Sequence, residues 1–283
     1  ITGGTLDKLE AVPGLKTRLA PEQFQAQVQA LGCAIVGQSE DLVPADRKLY
    51  ALRDATGTVP SLALITSSIL SKKLAEGLDA LVLDVKCGRA AFMQDRASAQ
   101  ALAGAMVKLA GACGLRTVAL LTAMNQPLGG AVGNWLEVKE TELFLRRCAS
   151  TAAGADPEAE AGPLEGLVIE CAARLLWLTA RSPSLEVARA EARNCLHSPA
   201  PRQRWLAMAA LERSRLQAWL RWDAQAGRTS FSGRWEGELA AGRRLRQGRA
   251  WADDPGLPPW LSLEIAGEPG AASAQQVAEA ATA

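Results

Sequence analysis

Between positions 21 and 31 the apolar residues recur with helical spacing, placing Phe24, Val28 and Leu31 on one side, and Gly32 supplies a stop. The next run, Cys33-Ala34-Ile35-Val36, predicts a short buried strand. Residues 49–76 predict a mainly helical stretch, with Pro60 acceptable in a first turn. The largely apolar run 80–85, broken by Asp84, has the character of a strand covered on both faces. An Ala-rich helix follows over 96–113, ended by Gly114, and 117–121 reads as another buried strand. Helices are predicted again over 135–147 and 164–180. Strand and helix alternate with tight glycines between them, which predicts an α/β fold with a mixed sheet and crossover helices.

Composition changes this picture in its second half. All 8 lysines fall at or before Lys139, and 7 of the 8 tryptophans fall at or after Trp177. One evenly constrained domain does not produce such a break, so the second half is expected to be under looser constraint. The segment 151–162 is small and acidic and reads as a loop or linker. The last stretch, 270–283, is Ala/Gln-rich and reads as frayed or weakly helical. The chain has 283 residues and a formal net charge of +1, enough to bury a substantial core. No apolar run reaches the ~18 residues of a membrane span, so no membrane partner is expected. The 6 cysteines are scattered without a CxxC pair, which reads as free, mostly buried thiols in a reducing cytoplasm. The single histidine, His197, lies in a Ser/Pro-bounded stretch and reads as a surface residue. The chain opens at Ile1 without a Met, inside a Gly-rich turn, and is therefore expected to be a fragment.

Two constellations bear on chemistry. In Thr2-Gly3-Gly4-Thr5 the glycines let backbone N–H groups approach an anion, and the Thr5 hydroxyl can add a donor. A plain turn explains the same residues. On the stretch 64–74, Ser68 and Lys72 are four apart and share a helical face amid apolar residues on nearly all sides. A lysine there either snorkels to water or meets a ligand.

The strings that settle the reading are 3–10, Gly37-Gln38, 49–54, 64–93, Leu120-Leu121-Thr122-Ala123-Met124-Asn125-Gln126-Pro127-Leu128-Gly129 and Val132-Gly133-Asn134-Trp135-Leu136-Glu137-Val138. They resemble the thymidine and pyrimidine-nucleoside phosphorylase family, strongly from Thr2 to about Arg147. The resemblance implies a pentosyltransferase that cleaves a pyrimidine nucleoside with phosphate to free base and (deoxy)ribose 1-phosphate. It implies no required cofactor, phosphate as co-substrate, a homodimer and a cytoplasmic location. Thr5 resembles a phosphate-binding threonine. Arg53, Ser68 and Lys72 resemble the residues that hold the pyrimidine, with Arg53 and Lys72 as the catalytic pair. Cations aimed at the departing base stabilise the negative charge that develops on it. In bacterial members, carbonyls matching Leu128 and Ala131 and a carboxylate matching Glu140 hold a monovalent cation; as a bare helix residue, Glu140 reads equally well as solvated.

By the same resemblance the chain divides into 1–43, a first α/β segment; 44–76, a helical segment of a small α-lobe carrying the pyrimidine site, its apolar sides exposed; 77–200, a second α/β segment; and 201–283, a divergent remnant of a β-rich region. The family's Lys-x-Ser-x-Gly-Gly phosphate loop is expected upstream of Ile1. Ala55, Gly57 and Pro60 depart from the usual Val, Ala and Asp, and Arg89 adds bulk to a loop that is usually glycine-rich. Two alternatives stay open. One is a catalytically dead relative that binds a pyrimidine or a partner. The other is a nucleic-acid binder: residues 201–249 hold 11 arginines and 4 acidic residues, interleaved with Trp205, Trp219, Trp222 and Trp235. The helical spacing of Leu206, Leu211, Leu216 and Leu220 makes a solvated arginine face the simpler account of that stretch.

Overall fold

The computed structural model describes residues 4–12, 14–39, 43–58, 61–151, 162–211 and 261–267. They fall in two compact units. The first comprises Ile1–Gln38, Leu128–Leu164 and Glu191–Arg246; the second comprises Ser39–Pro127, Glu165–Ala190 and Gln247–Ala283.

The second unit holds the sheet. Strands β1 (Ala80–Cys87) and β2 (Arg116–Ala123) pair in parallel, Ala80 opposite Arg116, and β3 (Leu261–Gly267) adds antiparallel to the other side of β2. The sheet is mixed, as expected. The central strand is the most apolar and the most buried, with Val118, Ala119, Leu120 and Leu121 at 0% exposure. Side chains alternate across it. Ala119 and Leu121 join Val85 and Cys87 on one face, under Ala99, Leu102, Ala103, Met106 and Val107 of α5 (Arg96–Ala112). Val118 and Leu120 face the opposite way, toward Cys171 and Leu178, in and at the end of α7 (Pro163–Leu178). Helix α5 forms where Asp95 caps its first turn, its carboxylate accepting from the Ser98 N–H at 2.8 Å, and it gives way to Gly114 at φ +80°.

Residues 44–76 make two helices, α3 (Pro44–Thr56) and α4 (Leu62–Ala75), in place of one stretch. Gly57, at φ +67°, ends the first. Ser61 caps the second, which therefore begins beyond Pro60. As expected for this segment, apolar side chains are exposed: Leu49 at 57%, Tyr50 at 52% and Leu52 at 58%.

The first unit is helical: α1 (Thr5–Glu10), α2 (Pro21–Leu31), α6 (Asn134–Thr151) and α9 (Ala200–Leu211). Helix α8 (Leu185–Leu196) runs across the boundary in sequence between the two units. The first unit's core gathers Leu9, Val12, Leu15, Val138 and Ala209, flanked by Trp135, Trp205 and Leu206. Ion pairs Lys8–Glu137 (2.5 Å) and Arg202–Glu142 (2.6 Å) tie its helices together. Three expectations are corrected here. Residues 33–36 form no strand; Cys33 and Ile35 are exposed, because no neighbouring strand is there to pair with them among the described residues. Helix α2 forms as expected, with Phe24 and Val28 open and Gln27 buried. The thiols are free as expected, but only Cys87 and Cys148 are fully buried, and Cys33 and Cys195 are exposed. His197 is partly buried, not a plain surface residue. Of residues 201–283, only 201–211 and 261–267 are described, so most of the Arg/Trp stretch and of the C-terminal segment lies outside the described residues.

Candidate functional site

Helices α3 and α4 are joined by two polar struts. Near the start of α3, Asp46 accepts a hydrogen bond from the Lys72 ammonium of α4, and the two form an ion pair. Two turns further along α3, Arg53 donates from Nη1 to the carbonyl of Leu64 at 3.1 Å. Both Asp46 (9%) and Arg53 (5%) are buried, and the Arg53 guanidinium lies 5.2 Å from the centre of the Tyr50 ring. The Lys72 side chain is 29% exposed, and its ammonium is held by protein acceptors. Its ammonium also donates to the Ser68 carbonyl (3.0 Å) and to Ser68 Oγ (3.2 Å). Three N–H groups thus meet three acceptors. Ser68 and Lys72 come together because they stand one turn apart on α4. Ser68 is buried although polar.

The ends of β1 and β2 make a second polar group in the same unit. Asp84 accepts from Thr122 Oγ1 at 2.5 Å and pairs with Lys86 at 2.7 Å, while Lys86 donates to Thr122 Oγ1 at 3.0 Å. The loop that follows β1 is bound to the end of β2. Ala90 N–H reaches the Met124 carbonyl (3.0 Å), and Arg89 N–H reaches Asn125 Oδ1 (3.0 Å). Gly88 sits at φ +137°, and a Cβ there would lie 2.6 Å from Asn125 Oδ1 and 2.9 Å from the Met124 carbonyl carbon. Only glycine fits this crossing. Arg89 itself points outward and is exposed.

Under the other face of the sheet, Cys171 is half-buried, and burial, with Asp84 nearby, pushes its thiol up to about 11. One residue before it, Glu170 receives Arg174 Nη1 and Arg189 Nε (2.8 Å). Burial raises the Glu170 carboxyl, but the hydrogen bonds and charges of the two arginines outweigh it and hold the group below the usual carboxylate range.

Two expected site elements belong to the first unit. Thr5 opens α1 and is exposed; the preceding Gly4 N–H is engaged by the Asp7 carboxylate at 2.7 Å. Glu140 of α6 faces the turn that carries Leu128 and Ala131. Its oxygens accept from the Gly130 N–H (2.6 Å) and the Ala131 N–H (3.3 Å). A Cβ on Gly129 would lie 2.5 Å from Glu140 Oε2, so the glycine is what lets the carboxylate come in. The carboxylate is thus held by backbone N–H groups of the turn, and carboxylate and carbonyl oxygens are the hard donors that a monovalent cation would take.

The structure thus brings Arg53, Ser68 and Lys72 onto one helix pair and adds Asp46, which the sequence reading passed over. The available signal was its seven-residue spacing from Arg53, which puts both on one face of α3.

The family described as glycosyl transferase family, a/b domain, matches residues 1–200. Thymidine phosphorylase of Rhizobium meliloti (strain 1021) is 54% identical over 145 residues, covering 51% of this chain and 33% of that protein. Thymidine phosphorylase of Homo sapiens is 52% identical over 178 residues (63% and 35%). Pyrimidine-nucleoside phosphorylase of Geobacillus stearothermophilus is 47% identical over 188 residues (66% and 41%). The chain spans between a third and about two fifths of the length of these curated relatives. These proteins are the phosphorylases that the motifs resemble, and a match running through β1 and β2, both struts and the Glu140 turn decides the assignment: the chain belongs to the glycosyl transferase family, whose a/b domain it carries.

Proposed function

We propose that this chain carries the pyrimidine-binding side of a thymidine or pyrimidine-nucleoside phosphorylase. The observation that carries the reading is the polar array on α3 and α4: the buried Arg53 and Ser68 and the part-exposed Lys72, which donates to Ser68 and to Asp46 across the helix pair. In the proposed reaction a phosphate oxygen bonds to C1′ of the sugar as the C1′–N1 bond breaks. The electron pair of the broken bond passes to the base, and the products are free base and sugar 1-phosphate. Arg53 presents a planar fork and Lys72 a point charge to the carbonyl and ring-nitrogen atoms that receive this charge. Ser68 accepts from Lys72, which leaves its own O–H to donate to the base.

The phosphate contact assigned to Thr5 is the weaker half. Lys8, one turn on, is committed to Glu137, and the Gly4 N–H is committed to Asp7. No cofactor is required. A monovalent cation, where bound, is held by the Leu128 and Ala131 carbonyls and Glu140, and supplies a positive charge that balances the carboxylate. The protein acts as a cytoplasmic homodimer; among the described residues no helix is long and apolar enough to cross a membrane.

Thymine release from thymidine tests the reading. The purified 283-residue polypeptide is expected to be stabilised against heat by thymine or uracil, since a ligand bound only by the folded state raises its stability. Its phosphate-dependent turnover should be slow, because positioning the second reactant supplies much of the rate. No stabilisation by either base removes the proposal. Fast turnover that survives Lys72→Met removes the assigned role of Lys72.

A further inference from the structure

Helix α3 is inside out. Asp46 and Arg53 face the protein, while Leu49, Tyr50 and Leu52 face outward at more than half exposure. Burying one such leucine would favour the fold, and burying a charged pair instead gains little. A local rule broken in this way marks a place where function decides the residue. Arg53 has a part in the pyrimidine reading above; Asp46 has none.

We propose that Asp46 is a positioning residue for Lys72, an inference that rests on the pyrimidine-site reading. A lysine stem has four rotatable carbons and ~2 kcal/mol of rotamer entropy, so an unaided ammonium samples many positions. Here one N–H is anchored on a buried carboxylate of the facing helix. The other two lie against the carbonyl and hydroxyl of Ser68 on its own helix. The carboxylate thus keeps the ammonium beside the hydroxyl that meets the base. The neighbouring Lys73 shows the contrast: it is paired at 2.9 Å with the exposed Glu76, at the end of its own helix.

The test is thymine affinity by calorimetry for the full chain and for Asp46→Asn, Asp46→Glu, Lys72→Met and the double variant Asp46→Asn/Lys72→Met. Asp46→Asn should weaken thymine about fivefold or more, and Asp46→Glu should recover most of that loss. In the Lys72→Met background, Asp46→Asn should change affinity by less than about twofold, because its effect passes through the lysine. Unchanged or tighter thymine binding in Asp46→Asn overturns the proposal, as does an undiminished effect on top of Lys72→Met. A second readout needs no ligand. Amine labelling of Lys72 relative to Lys73, read by mass spectrometry, should rise about threefold in Asp46→Asn as the ammonium is released; an unchanged ratio overturns the proposal. If Asp46→Asn does not fold, Asp46→Ser is measured with the same expectations. A wild-type chain that binds no thymine sinks the pyrimidine-site reading itself, and the labelling ratio then decides by itself whether Asp46 holds Lys72.

Discussion

Replacing Glu170 by Gln keeps the shape of the side chain and removes its charge. In the native fold this carboxylate lies between Arg174, whose side chain is 1% exposed, and Arg189, at 41%. The substitution leaves the buried Arg174 guanidinium facing a neutral amide, though its bond to the Glu170 carbonyl at 3.2 Å can persist. Breaking a buried pair from one side costs about 3–5 kcal/mol. The exposed Arg189 half contributes less than about 1 kcal/mol, since solvent screens it. We therefore expect Glu170→Gln to lose about 3 kcal/mol at pH 7, which for a chain of this size lowers Tm by roughly 6–12 °C. Urea unfolding followed by tryptophan fluorescence measures it as a lower midpoint at unchanged slope. The double variant Glu170→Leu/Arg174→Met should recover to within about 1 kcal/mol of wild type, because an apolar pair of similar volume has no charge left to solvate. The pH dependence follows from the depressed Glu170 carboxyl. A depressed carboxylate contributes stability that is fully present above its unfolded pKa of about 4.3 and is lost as pH falls through the lower folded value. The difference between wild type and variant should be flat from pH 7 to about 5 and should shrink below about 4. A variant within about 0.5 kcal/mol of wild type at pH 7, or a difference that persists in acid, refutes this account of the network.

Gly88→Ala should cost about 3 kcal/mol in thermal unfolding, from a φ of +137° and a Cβ pressed on the Met124 backbone; Gly77→Ala, at φ +67° with open space around it, should cost only about 1 kcal/mol, and equal losses would contradict the crowding argument. Iodoacetamide at pH 8 should modify the exposed Cys33 and Cys195 first and spare Cys171, whose thiol is pushed up to about 11, and the buried Cys87; mass spectrometry of the folded chain gives the order, and early labelling of Cys171 would show that its burial is overstated. Lys72→Met should abolish thermal stabilisation by thymine, whereas Lys73→Met, altering only a surface pair with Glu76, should leave it intact; loss in both variants would mean that the response is not specific to the site.

Much of the site was visible as spacing. Ser68 and Lys72 had to share a face once residues 62–75 became helical, because four residues make about one turn. The depth of Arg53 and the presence of Asp46 were not visible. Their burial depends on which side of α3 meets α4, and the apolar pattern of α3 points the other way. The same holds in α2, where the spacing of Phe24, Val28 and Leu31 gave the helix but not which side is buried: Gln27 is buried while Phe24 and Val28 lie open. It also appears at 33–36, where an apolar run met no partner strand.

The sequence by itself determined the elements whose signals are local. The Ala-rich stretch between Asp95 and Gly114 could only be a helix with those ends. The apolar residues 118–121 at the middle of β2 pointed to a buried strand. It also determined the family, since the motif strings need no coordinates to be read. Tertiary structure alone decided the pairing of Asp46 with Lys72, the approach of Glu140 to the 129–131 turn, and the crossing of Gly88 against Asn125. Each of these joins residues at least nine positions apart on different elements. Period and propensity act within about one turn of helix or a few residues of strand, so only the packing of elements could bring such groups together.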